Sequence, residues 1–305
     1  MKKQKRLIVL FIAASLAGGL VFAQRYYRDE RAGAPDWELD KEFSKDVFTF
    51  VRIRYSDGYG RGGYYGGGAG PSPGDRIYGS RGYGSGRPRG YGGWGRGGRG
   101  GKWATDYPDS DLNFSFRLQQ LTSMEVDPNG LILELTDERL FDYPFIYIVE
   151  PGRLVFSEEE VKALQKYLLN GGFLMVDDFW GEDEWYNFEY EIGRVFPNRE
   201  PVELGLDHEI FDCVFKLKEK PQIPNIGLGV SGFSQGITWE RPDAKEVHYK
   251  AIYDDKGRIM VIICHNTDLG DGWEREGESE LYFREFSEKS AYPLGINIVF
   301  YAMTH

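Results

Sequence analysis

The spacing of hydrophobic and polar positions changes along the chain, and each spacing predicts an element. Val47 to Tyr55 (VFTFVRIRY) starts on aromatics and then alternates apolar with polar, the two-residue period of a strand. From Asp109 to Leu121 a helix is expected, with Leu112, Phe116, Leu118 and Leu121 as its apolar side. Asp127-Pro128-Asn129-Gly130 is a turn sequence, because Pro presets the first corner and Gly accepts positive φ. Leu131 to Leu135 follows as a short strand. Phe145 to Val149 is an unbroken apolar run, which suits a strand covered on both faces.

The next stretch is the most regular. Ser157 and Glu160 stand at the spacing of a capping box, and Glu158 and Glu159 complement the helix dipole. Val161, Leu164, Tyr167 and Leu168 form the buried stripe, Gly171-Gly172 ends the helix, and Phe173 to Val176 is a strand. Strand, helix and strand with short joints make a βαβ unit, which implies a parallel sheet. A second helix after Gly181 carries Trp185, Phe188, Ile192 and Phe196 inward and stops at Pro197. Residues 245–264 read as a hairpin around Asp254-Asp255-Lys256-Gly257. A last helix near Leu294 to Met303 points Ile296, Val299, Phe300 and Met303 inward. The expected fold is α/β, a mainly parallel sheet with helices on both faces.

Two segments stand apart from this pattern. Lys2, Lys3, Lys5 and Arg6 precede the uncharged apolar stretch Leu7–Ala23, with Val21 and Ala23 placed for cleavage before Gln24. Residues 1–23 are therefore expected to be a signal peptide, giving a periplasmic or secreted protein; the alternative is an uncleaved N-terminal anchor. Residues 24–46 read as a polar linker. The domain then spans 47–305, interrupted by residues 58–101. There, 21 of 44 positions are Gly and Ile77 is the only large aliphatic residue, too little apolar surface to offset chain entropy, so disorder is expected. Its RG and YG pairs resemble nucleic-acid-binding tracts, a use that export opposes.

Charge sharpens the contrast. The chain carries −11 overall; residues 57–102 carry +6 and residues 103–305 carry −21. An acidic domain repels nucleic acid and anionic lipid and attracts cations or basic partners. The partners expected are an envelope protein or a small ligand, with membrane contact only if the signal segment is retained. Cys213 and Cys264 leave open one disulfide or two free thiols, with Cys213 expected to be buried in FDCVF.

YPFIYIVEPG (143–152), LNGGFLMVDDFW (169–180), DHEIF (207–211) and LGINIVFYAMTH (294–305) together resemble the bacterial domain-of-unknown-function family 4159. The resemblance implies a flavodoxin-like sheet of the class I glutamine amidotransferase type and an envelope setting. It implies no activity and no catalytic residues.

In such sheets ligands bind outside the carboxyl ends of the strands. Three loops leave those ends: the Gly-rich segment, Glu150-Pro151-Gly152, and Asp177-Asp178. An amidotransferase needs a nucleophilic Cys on a strand-to-helix turn, and the comparable turn at Glu150–Arg153 has none. Cys264 and His265 could pair only if the chain turns there, because neighbours on a strand face opposite ways. Asp177 and Asp178 could hold a divalent cation, with His208, Asp207 or Asp268 brought in by folding. They could equally hold sugar hydroxyls, with Trp180, Trp185 or Tyr186 as stacking faces. The alternative is that one Asp caps the next helix and the other is solvated, and that His208 is structural. Asn266, Asp268, Asp271 and Glu274 resemble a calcium loop without its spacing. These residues support two functions: non-catalytic ligand or partner binding, or a metal- or carboxylate-dependent enzyme acting on a carbohydrate-like substrate.

Overall fold

A computed structural model describes residues 31, 33–39, 46–58 and 101–305. The expected signal segment and the body of the Gly-rich insertion lie outside the described residues. Among the described residues no helix is long and apolar enough to cross a membrane.

Strands β1 (Val51–Ile53), β2 (Leu131–Leu133), β3 (Phe145–Val149), β4 (Phe173–Asp177), β5 (Val202–Glu203), β6 (His248–Tyr253) and β7 (Ile259–His265) form one sheet. Their order is β2-β1-β3-β4-β7-β6-β5. The first five are mutually parallel, and β6 and β5 add an antiparallel edge. The order 2-1-3-4 is that of flavodoxin-like doubly wound sheets, with the switch in direction between β1 and β3. The fold class read from the sequence is therefore the one observed.

Alternating strand residues divide the core in two. Phe145, Tyr147, Val149, Phe173 and Met175 face one side and pack on α1 (Asp109–Leu121), α4 (Leu269–Glu274) and α5 (Tyr292–Thr304). Ile146, Ile148, Leu174 and Val176 face the other and pack on α2 (Glu158–Leu169) and α3 (Gly181–Val195). Both bonds of the Ser157–Glu160 capping box form at the start of α2.

Several local expectations need correcting. Strand β1 is only three residues long, and Arg52, the polar position of its alternating pattern, is fully buried. The strand is interior and covered on both faces, so neither face is wet. Leu121 and Met303, expected inward, are exposed, whereas Phe114, Leu294, Ile298 and Tyr301 fill the core. Cys213 is exposed and Cys264 buried, and both are free thiols. The described part of the linker is docked on the domain: the Trp37 indole donates to the Val126 carbonyl at 2.8 Å, and Arg31 donates to the Pro128 carbonyl at 2.8 Å.

Candidate functional site

The carboxyl edge of the sheet concentrates unusual backbone. Among the described residues four non-glycine positions have positive φ: Asp106 (61°), Glu150 (47°), Asp178 (57°) and Asn266 (61°). Glu150, Asp178 and Asn266 each follow a parallel strand directly, and Asp106 lies on the loop before α1. Asp and Asn tolerate this left-handed region; for Glu it is uncommon. The turn after β3 therefore has the strained form of an elbow, but presents a carboxylate rather than a thiol or hydroxyl. Thr105 Oγ1 donates to Glu150 Oε1 at 2.9 Å, and Lys102 pairs with its other oxygen.

Arg52 holds the Asp106 loop in place. Its guanidinium meets both Asp111 oxygens, with Nη2 to Oδ1 at 2.5 Å. Nη1 donates to the carbonyls of Trp103 at 3.0 Å and Thr105 at 2.9 Å, and Nη2 to Ser110 Oγ at 2.9 Å. Tyr107 and Tyr147 lie beside the guanidinium plane. The pair carries Asp106 to the strand ends. Lys102 N donates to Asp57 Oδ2 at 3.2 Å, so both ends of the Gly-rich insertion meet here, next to Glu150.

Asp106, Asp178 and Asp268 each bring one carboxylate oxygen within 4.8 Å of the others; Asp106, Asp271 and Glu274 form a second such group. Burial, then the Asp271 charge, raises the Asp106 carboxyl to about 7. Burial raises Asp177 to about 8, against the opposing bonds from Gly270 N and the Tyr147 hydroxyl. Asp178 is pushed well above the usual range by burial and then by Glu150; Asp268 is pushed up by burial and then by Asp178. Glu274 rises to about 9 through burial and Asp106. This density of raised acids at the strand ends makes the edge a candidate functional site.

The two groups differ in their counter-charges. Arg275 Nε lies 3.2 Å from Asp271 Oδ1 and 2.7 Å from Glu274 Oε2, so the second group has one positive charge beside it. Among the described residues no Lys or Arg pairs with Asp106, Asp178 or Asp268. Asp268 also caps α4, accepting from Asp271 N at 2.7 Å, and Asp178 Oδ1 accepts from the Trp180 indole at 3.1 Å.

Neither Asp177 nor Asp178 caps α3, whose N-cap is Trp180 without a side-chain bond, and both are buried rather than solvated. Trp180 and Trp185 are buried too, leaving Tyr186 as the exposed ring of the three aromatic candidates. His208 is elsewhere: it caps Glu209–Phe211 and lies 5.9 Å from the Tyr301 ring, whose hydroxyl accepts from Ile259 N at the amino end of β7. His265 faces Phe179 and Trp185, opposite to Cys264, and burial lowers it to about 4. Sequence reasoning missed Asp106, Lys102 and Arg241. Only a loop-borne acid beside the βαβ unit could have signalled the first.

A cavity of about 330 Å³ opens beside the acids, lined by Lys102, Glu150, Gly152, Arg153, Glu184 and Arg241. Arg241 pairs with Glu184, and Glu184 Oε2 accepts from Trp180 N at 2.8 Å. The sequence pattern of DUF4159, a domain of unknown function, matches residues 91–303. The chain belongs to the DUF4159 family. That match begins downstream of β1, yet β1 lies between β2 and β3 in the sheet and supplies Arg52, so this DUF4159 domain is completed by sequence upstream of the matched region. No curated protein matches the chain.

Proposed function

We propose that the protein is an exported envelope domain that binds a small polar ligand in the cavity at the carboxyl end of β1, β3 and β4. The observation that carries this reading is the lining: Lys102, Arg153 and Arg241 alternate with Glu150 and Glu184 around a space of about 330 Å³. Charges of both signs around one space suit a ligand carrying both charges or many hydroxyls, such as an amino sugar or a zwitterionic peptide. An envelope protein presenting such a group is the alternative occupant. Export rests on the N-terminal pattern, and sequencing the mature protein from its host should begin at Gln24; an intact Met1 in the membrane fraction would overturn it.

The ligand reading is tested by titrating amino sugars, neutral sugars and dipeptides while following the unfolding temperature and binding heat. A true ligand at about 100 times its Kd stabilises the fold by roughly 2.7 kcal/mol. Glu150→Gln and Arg241→Met should each weaken that ligand about tenfold or more. Failure of every class, or unchanged affinity in both variants, sinks the reading. A second reading, a carboxylate-dependent enzyme acting on a carbohydrate-like substrate, is favoured by Asp106, whose carboxyl near 7 suits proton transfer at neutral pH. Turnover of glycan substrates that is lost in Asp106→Asn would select it.

A further inference from the structure

We infer that Asp106, Asp178 and Asp268 form a binding site for one hard divalent cation beside the cavity. The inference deepens the ligand reading, since the cation would stand beside Glu150 at the same crevice. Three carboxylates from three separate segments converge within 4.8 Å, and all the donors are oxygen. Such a set selects magnesium, manganese or calcium over zinc or copper, which prefer nitrogen and sulfur.

Two enclosed carboxylate oxygens without a hydrogen-bond partner, one on Asp106 within the triad and one on Asp177 behind Gly270, supply the second observation. The Asp177 side chain is fully buried, yet Oδ1 has no hydrogen-bond partner. Its Oδ2 accepts from Gly270 N at 3.0 Å and from the Tyr147 hydroxyl at 3.2 Å. Gly270 is the common wall: a Cβ there would stand 2.6 Å from Asp106 Oδ2 and 3.5 Å from Asp268 Oδ1. Gly270 thus touches the Asp177 carboxyl through its N–H and borders the triad through its α-carbon. Asp106 Oδ2 is likewise enclosed and without a partner. An unpaired buried carboxylate oxygen is costly, and most such oxygens in folded proteins are satisfied.

The surrounding cations are committed elsewhere. Arg52 is spent on Asp111, Arg275 on Asp271 and Glu274, and Lys102 on Glu150. This assigns the cation to the Asp106–Asp178–Asp268 group and not to the Asp106–Asp271–Glu274 group, into which Arg275 already brings a positive charge. Gly270 is required because any side chain would push into Asp106 Oδ2.

The test uses the full mature chain, stripped with chelator, and manganese alone as the probe, followed by electron paramagnetic resonance and equilibrium dialysis at pH 8. One manganese per chain is expected, displaced by calcium or magnesium. Asp178→Asn and Asp268→Asn should each weaken binding about tenfold or more, whereas Asp271→Asn should leave it within a few-fold. Gly270→Ala should weaken binding by displacing Asp106 while keeping every carboxylate. Circular dichroism confirms that each variant folds, and the wild-type stoichiometry stands whether or not a variant does. Absence of manganese binding up to millimolar concentration overturns the inference, as does binding that survives both triad substitutions. Either result leaves the polar-ligand reading to stand or fall by its own titrations, which are run in chelator as well as in metal.

Discussion

Removing the Arg52 guanidinium tests whether this buried pair organises the edge of the sheet. In Arg52→Met the Asp111 carboxylate, only 3 % exposed, loses all three hydrogen bonds from its fork partner. Breaking a buried pair from one side costs about 3–5 kcal/mol, because the remaining charge is uncompensated. The carbonyls of Trp103 and Thr105 also lose donors, about 1 kcal/mol each where water cannot replace them. A loss of roughly 5 kcal/mol is a large share of the 5–15 kcal/mol that folded domains hold. Urea unfolding with an unchanged slope reads it directly. The double variant Arg52→Met with Asp111→Leu removes the orphaned charge and should recover about 3 kcal/mol, leaving about 2 kcal/mol for the two carbonyls. If Arg52→Met costs under about 1 kcal/mol, or the double variant is no better than the single one, the pair does not hold the loop as described. Cation and ligand affinity should fall in Arg52→Met even where it is folded, because Asp106 is carried on the loop that Arg52 ties down.

Two further outcomes follow from groups already described. In chelator, the carboxyls of Asp106 and Asp177 hold protons to about 7 and 8 when folded, but release them near pH 4 when unfolded. The folded state binds more protons in between, so their contribution is full below pH 4 and is lost as pH rises through about 8; unfolding temperature should fall over that window, and Asp177→Asn should flatten the slope. A flat or rising profile in metal-free protein would show that these acids ionise freely. Ser157→Ala removes the cap on Glu160 N and should cost about 1 kcal/mol in denaturant unfolding without changing cation or ligand affinity; an affinity change would mean α2 couples to the crevice.

The parts of the molecule legible from sequence were those governed by local rules. The capping box at Ser157, the βαβ unit and the hairpin at Asp254–Gly257 each follow from adjacent residues, and each is present. What local rules could not reach was partnership across the fold. The alternation in VFTFVRIRY says nothing of Asp111 almost sixty positions away, so Arg52 reads as surface. Asp177 and Asp178 read as a cap and a solvated neighbour because that is the usual fate of acids before a helix; the actual cap position is Trp180, and both acids turn inward. His208 could be placed near them by eye, but β5 and the following loop carry it to the amino end of β7. Asp268, Asp271 and Glu274 were noticed as an acidic run, but their division into one uncompensated acid and two paired with Arg275 depends on side-chain positions.

The concentration of cost at one edge separates a functional origin from a structural one, and Asp178→Gly distinguishes them. Asp178 has φ 57°, a conformation that costs an ordinary L-residue about 1–2 kcal/mol, somewhat less for Asp, and that glycine adopts freely. Its carboxyl is also held against Glu150, Asp106 and Asp177, which disfavour its charge. Against these gains, the substitution removes the bond from the Trp180 indole, about 1 kcal/mol, and adds freedom to the unfolded chain, about 0.5–1 kcal/mol. Near pH 5 the terms nearly cancel. Above pH 8 the wild-type edge is forced to carry more ionised acids, so in chelator the variant should be the more stable protein and its advantage should grow with pH. Manganese should erase that advantage by stabilising the wild type alone. A residue kept for stability behaves the other way: a variant less stable than the wild type at every pH, in chelator and in manganese alike, would show Asp178 to be a structural part of the strand end rather than a ligand of the site.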